Sequence, residues 1–176
     1  MEFHKTELPG VVIVTVEPHP DERGLFARTF DAAEFAAAGL PSHWPQCNTS
    51  WNARKGTLRG MHFQAAPRPE PKLVRCTRGR IFDVAVDLRP DSPTFRRWTG
   101  TELSHELRNA LFIPAGCAHG FLTLEDDCEV LYFMGESYVP DLARGVRWND
   151  PAFGIAWPFE PVAMSERDAS YADFAT

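Results

Sequence analysis

Ile81-Phe-Asp-Val-Ala-Val-Asp-Leu88 alternates strictly between two kinds of side chain. Successive side chains of a strand point to opposite faces, so Phe82, Val84, Val86 and Leu88 share one face and Ile81, Asp83, Ala85 and Asp87 the other. The first face seeks a core. The second carries two carboxylates, and it either meets water or lines a polar cavity where Asp83 orients a cationic or imidazole neighbour. Outward from this strand, short β-prone runs recur at 57–63, 72–76, 98–103, 111–113, 120–124 and 129–133. Arg78-Gly79, Pro90-Asp91 and Glu125-Asp126-Asp127 punctuate them with turns. Many short strands at near-regular spacing favour an antiparallel sandwich or barrel over alternating βα units. The expected fold is therefore all-β, an antiparallel jelly roll with an interior pocket.

Toward the N-terminus, 11–16 and 25–30 read as strands with a Pro-rich corner at 18–20 between them. Residues 31–39 read as the one convincing helix: Asp31 caps its start, the alanines favour it and Gly39 ends it. No repeat or linker divides the chain, so a single domain over 1–176 is expected, any disorder being confined to the last few residues.

Composition narrows the function. A formal charge of −6 gives no broad cationic surface for a phosphodiester backbone, which argues against nucleic acid as a partner. A single diphosphate needs only a few local cations and stays open. Thirteen Phe and five Trp promise a core or pocket rich in flat side chains. Cys47, Cys76, Cys117 and Cys128 show no CxxC pairing and read as buried free thiols. The start, MEFHKTEL, lacks an apolar signal-peptide core, and no apolar run reaches the ~18 residues of a membrane span. A reducing cytoplasm fits these features.

Two histidines stand in informative surroundings. Arg59-Gly-Met-His-Phe-Gln64 places His62 and Gln64 on the same side of a strand. Pro114-Ala-Gly-Cys-Ala-His119-Gly sets a second His after a tight turn, and this PxGxxH pattern is typical of small barrels of the cupin type. A metal-binding cupin would add an HxH pair and a nearby Glu. Gln64 stands in the second position of that pair, and an amide oxygen is a poor ligand for zinc or iron. Glu70 lies in a Pro-rich loop at an unusual distance, so no metal is expected.

Several further stretches carry a more specific resemblance. They are Asp21-Glu-Arg-Gly, Gln46-Cys-Asn-Thr-Ser, Gly56-Thr-Leu-Arg-Gly-Met-His-Phe-Gln, Lys72-Leu-Val-Arg, Ser92-Pro-Thr-Phe, Ile113-Pro-Ala-Gly-Cys-Ala-His-Gly-Phe, Glu129-Val-Leu-Tyr and Trp148-Asn-Asp-Pro. Running in order over nearly the whole chain, they resemble the dTDP-4-dehydrorhamnose 3,5-epimerase family, cupin-fold enzymes of deoxysugar biosynthesis. The resemblance implies epimerisation at C3, C5 or both of a nucleotide-linked 4-keto-6-deoxyhexose, with no cofactor. A proton beside a ketone becomes acidic only if the developing enolate is stabilised, so the site needs a base, an electrophile and an acid. His62 matches the family's base and Asp168 the carboxylate that orients it. Lys72 matches the cation facing the keto oxygen, and Tyr132 the acid returning a proton on the opposite face.

For the nucleotide diphosphate the resemblance implies Arg23, Gln46, Asn48, Arg59 and His119, with Tyr138 stacking on the base. Phe26, Arg28 and Arg167 complete the implied substrate-binding set. A homodimer is implied as well, the partner supplying some contacts. The chain also departs from the family. Arg28 stands where a Glu contacts thymine, Ala143 replaces an acidic residue, Arg167 replaces a Lys, and Glu70 replaces a frequent Gln. An intact catalytic set with altered base recognition suggests the same reaction on another sugar nucleotide, or the same nucleotide held differently. Two alternatives remain: a non-catalytic sugar-nucleotide-binding cupin, and a metal-dependent cupin oxygenase or isomerase.

Overall fold

In the computed structural model, which describes residues 1–174, the decisive stretch forms strand β8 (Arg80–Asp87), buried on both faces. It lies in a five-stranded antiparallel sheet of order β13 (Ala143–Gly145), β6 (Leu58–Gln64), β11 (Cys117–Thr123), β8, β9 (Trp98–Ser104). A six-stranded antiparallel sheet has the order β1 (Glu2–Lys5), β2 (Val12–Thr15), β10 (Ala110–Ile113), β7 (Lys72–Arg78), β12 (Cys128–Met134), β5 (Gln46–Asn52). Ile81, Ala85 and Phe121 of one sheet meet Val74, Leu111 and Val130 of the other in a common core. This is the expected all-β, cupin-type jelly roll. The end of the expected single domain, 175–176, and the disorder expected there lie outside the described residues.

Each sheet is also covered from outside, which explains why β8 has no wet face. Val84, Val86 and Phe82 pack under Phe153, Ile155 and Trp157 of the C-terminal segment. On the other sheet, Val12, Val14, Leu73 and Phe112 pack against Phe35 of helix α1 (Ala32–Ala37) with Phe30 and Trp44 beside it. Phe35 is fully buried, a gain of about 1.5–3 kcal/mol for a side chain of this size. Asp31 caps α1 by accepting from the N–H groups of Ala33 and Glu34, and Gly39 leaves it at φ +74. Covering both outer faces turns the Asp83 and Asp87 side of β8 toward the interior, so the exterior reading of that face is set aside.

Asp87, also fully buried, accepts from Arg89 Nε and Nη2 at 2.8 Å each, from Ser92 Oγ at 2.5 Å and from Thr94 Oγ1 at 2.7 Å. Burial alone would raise its pKa, but these bonds outweigh it and hold the carboxyl well below the usual range. A depressed pKa stabilises the fold above the unfolded value of ~3.9 and loses that contribution as pH falls toward the folded value. Urea midpoints should therefore drop below about pH 4. Asp87→Asn should cost about 1–3 kcal/mol at neutral pH and flatten that acid limb.

The remaining differences have local causes. The Pro18–Pro20 corner is instead strand β3 (Pro18–Asp21), paired with β4 (Gly24–Ala27) in a two-stranded hairpin separate from both sheets. A ribbon with open edges tolerates prolines that cannot donate. Strand β5 carries no apolar run: it is an edge strand, with Asn48 and Ser50 toward the cavity and Cys47, Thr49 and Trp51 exposed. Cys47 is thus exposed rather than buried, whereas Cys76, Cys117 and Cys128 are buried and free. A second short helix, α2 (Glu166–Ala169), follows Ser165. Among the described residues no helix is long and apolar enough to cross a membrane.

Candidate active site

Between the two sheets lies a cavity of about 600 Å³, a volume suited to a small-molecule ligand. His62 enters from β6 and His119 from the adjacent β11, where they are direct cross-strand partners. Tyr132 and Lys72 enter from β12 and β7 of the opposing sheet. The cavity is therefore walled by imidazoles on one side and by an ammonium and a phenol on the other.

His62 Nε2 lies 2.7 Å from Asp168 Oδ1. A carboxylate can only accept, so this bond selects the neutral tautomer that carries its proton on Nε2 and presents Nδ1 as an acceptor. Asp168 is fixed from three sides. It sits in α2, its own N–H bonds to Ser165 Oγ at 3.1 Å, and Oδ2 accepts from Gly60 N–H at 3.2 Å. That last bond depends on backbone approach: Gly60 has φ +145, and a Cβ there would fall 2.5 Å from Gly120 Cα. Burial works to raise the Asp168 pKa, but the His62 bond and charge, with the Gly60 and Ser165 bonds, lower it overall. Asp168 is an anion held beside an imidazole.

Tyr132 shares a 3.0 Å hydrogen bond with Ser50 Oγ. Its burial pushes the phenol pKa up, against the smaller lowering by that bond, so the hydroxyl keeps its proton throughout the neutral range. Lys72 Nζ is 2.5 Å from Glu70 Oε1. His119 Nε2 is 2.7 Å from Asp83 Oδ1, so Asp83 does orient an imidazole. Asp83 is completely buried and its pKa is raised by that burial, against the opposing pull of His119. Glu70, which replaces a frequent Gln of the family, is the counter-charge that the sequence places near Lys72, whereas Ser50 was not among the expected site residues. Ser50 stands two residues after Asn48 on the same face of β5, a strand that carries no apolar period.

Arg59, Asn48, Tyr138 and Arg167 also line the cavity. Arg59 is anchored by Nε to Asn52 Oδ1 at 2.7 Å, and the Arg167 guanidinium lies over the Tyr171 ring at 6.0 Å. Gln46 stands behind the rim, its Oε1 accepting from Tyr138 N–H at 2.7 Å. Arg23, Phe26 and Arg28 do not reach this cavity within one chain. They sit on or just after the separate hairpin, Arg23 paired with Asp21 at 2.5 Å, Arg28 with Asp31 at 2.9 Å, and Phe26 67% exposed. Gln64 acts as a brace: its amide donates to the carbonyls of Arg68 and Ser137 and accepts from Val139 N–H. Among the described residues, no three His, Cys, Asp or Glu side chains come together as a metal-binding group.

A jelly roll with a ligand-sized cavity between its sheets, entered by the PxGxxH histidine, is a cupin-type enzyme scaffold. The family model for dTDP-4-dehydrorhamnose 3,5-epimerase matches residues 5–176. The dTDP-4-dehydrorhamnose 3,5-epimerase of Methanothermobacter thermautotrophicus is 49% identical over 172 residues, covering 96% of this chain and 92% of its own. A crystal structure of the dTDP-6-deoxy-D-glucose-3,5-epimerase of Legionella pneumophila, in complex with dTDP-4-keto-L-rhamnose, superposes with a TM-score of 0.91 at 35% identity, covering 97% of this chain and 90% of that one. A 3'-monoepimerase from Streptomyces bikiniensis, in complex with dTDP-quinovose, gives 0.90 at 34% identity, with coverage of 97% and 86%. The chain belongs to the dTDP-4-dehydrorhamnose 3,5-epimerase family, and it is an isomerase.

Proposed function

We propose that this enzyme inverts C3, C5 or both of a nucleotide-linked 4-keto-6-deoxyhexose, dTDP-4-dehydro-6-deoxyglucose or a close relative, by removing and returning a proton. The observation that carries this reading is the 2.7 Å His62–Asp168 pair in the same cavity as the Lys72 ammonium and the Tyr132 phenol. His62 Nδ1 takes the proton from the carbon beside the C4 ketone, and the bonding pair moves into the carbonyl to give an enolate. Asp168 stabilises the imidazolium so formed. Lys72 faces the enolate oxygen, where an ammonium shielded from bulk water counts for more than it would in solution. Tyr132, in the opposite sheet, gives a proton to the other face of the carbon, and solvent exchange restores both side chains. The reaction is redox-neutral, so it calls for no redox cofactor, and Lys72 fills the place of a Lewis acid.

In this reading Arg59, Asn48 and His119 bind the diphosphate, Tyr138, whose N–H is held by Gln46, stacks on the base, and Arg167 on the cavity wall adds a further contact to the substrate. Arg23, Phe26 and Arg28, on or just after the hairpin, do not line their own chain's cavity, which supports a homodimer in which the hairpin serves a partner. A monomeric mass in solution at micromolar concentration would count against that part. The free thiols support a reducing cytoplasm, to be checked by cell fractionation.

The test is incubation with dTDP-4-keto-6-deoxyglucose in deuterium oxide, following the sugar protons by NMR. Deuterium should enter at C3 or C5. No exchange with this substrate or with its uridine, cytidine and guanosine counterparts would overturn the reading. By analogy with the family the phenol's proton goes to C5, so in the same assay Tyr132→Phe should lose C5 inversion more than C3 exchange, and equal loss at both centres would contradict that assignment.

A further inference from the structure

The Glu70–Lys72 ion pair is almost closed to solvent, its side chains 5% and 8% exposed, yet both residues line the cavity. It is held from behind. Lys72 pairs through its backbone with Ile113 and Met134 on either side, and the intervening Pro71 accepts from Gly135 N–H at 2.8 Å. Among the described residues the carboxylate hydrogen-bonds to no protein group except this ammonium. A carboxylate can accept about four hydrogen bonds, and buried polar groups are otherwise nearly always paired. Glu70 therefore brings unused acceptor capacity to the cavity wall.

An electrophile for a keto oxygen needs only a donor. A carboxylate beside the ammonium weakens the field that Lys72 exerts on the developing enolate, so Glu70 is a cost to that step taken alone. What it adds is an acceptor next to the donor. The ligand chemistry that matches such a pair is a carbonyl with a hydroxyl on the neighbouring carbon. In a 4-keto-6-deoxyhexose that hydroxyl is on C3, because C5 carries a methyl group with nothing to donate.

Resting on the epimerase reading, we propose that Glu70 is a specificity-determining residue: it accepts the 3-hydroxyl while Lys72 donates to the C4 ketone. The two together select 3-hydroxy-4-keto sugars over 3-deoxy ones and hold the C3 side of the ring against β7. Each group requires the other, since the carboxylate also neutralises the buried ammonium while the cavity is empty.

The experiment compares deuterium entry, as kcat/KM, into dTDP-4-keto-6-deoxyglucose and its 3-deoxy analogue, at the centre the wild type handles. The wild type should favour the 3-hydroxy sugar by about 10- to 100-fold, the range for a hydrogen bond to a charged group. Glu70→Leu should bring that ratio close to one, with the loss falling on the 3-hydroxy sugar. If Glu70→Leu fails to fold, Glu70→Gln, a neutral acceptor of the same shape, should lower the ratio about threefold or more. A general loss of active protein cancels in the ratio. A wild-type ratio near one, or an unchanged ratio in the folded variant, overturns the assignment while leaving the epimerase reading intact. No exchange by the wild type into either sugar overturns both.

Discussion

His62→Ala is expected to slow deuterium entry into the sugar by about 10²–10⁴-fold, the usual contribution of a positioned general base. The variant should fold, because the His62 side chain is 40% exposed and Asp168 keeps its bonds to Gly60 N–H and Ser165. Asp168→Asn should cost a similar amount by another route. An amide in that place can donate to Nε2, which forces the proton onto Nδ1 and removes the base; the analogous change in Ser-His-Asp triads costs about 10⁴ in kcat. Because Asp168 is held below the ordinary carboxylate range, its negative charge persists through that range and is lost only as pH falls below it. Its titration therefore leaves the rate profile above about pH 4 unshaped. NMR exchange rates for the two variants across that range are the check. A near-wild-type rate for His62→Ala would remove the base assignment and leave His119, its cross-strand neighbour, to be tested in its place.

Much of this site was open to reading in the sequence, and the parts that were not share a cause. Period-two alternation put His62 in a strand and Asp83 on one face with Ala85, and both placements hold. Alternation could not say that neither face of β8 is wet, because the C-terminal segment that covers Phe82, Val84 and Val86 is distant in the chain. Strand β5 was missed because an edge strand with one face on a polar cavity has no apolar period to detect. Its Ser50 therefore escaped notice even though it bonds to Tyr132. The Gly60–Asp168 bond joins residues 108 apart, and no local pattern encodes it. The hairpin carrying Arg23, Phe26 and Arg28 shows the limit from the other side: resemblance named the residues, yet a single chain does not bring them to its own cavity.

Lys72→Met should both inactivate the enzyme and destabilise it, and the two losses are separable. For activity, removing a donor aimed at a developing oxyanion costs about 10²–10³ in kcat. For stability, the change deletes the charge 2.5 Å from a carboxylate that is 5% exposed, and breaking a buried ion pair from one side costs about 3–5 kcal/mol. Water entering the open cavity relaxes part of that penalty, which places the expectation near the lower end. For a chain of this size each kcal/mol moves the melting temperature by roughly 2–4 °C, so a fall of about 6–12 °C is expected. Removing the second charge should reverse only one of the losses. The double variant Glu70→Gln/Lys72→Met no longer buries an unpaired charge and should regain most of the melting temperature, while deuterium exchange stays at or below the single variant's level. Calorimetry of the two variants beside wild type, with exchange measured well below both melting points, reads the two effects independently. A single variant as stable as wild type would mean that the Glu70 carboxylate finds another partner, and recovery of exchange in the double variant would remove Lys72 from the chemistry.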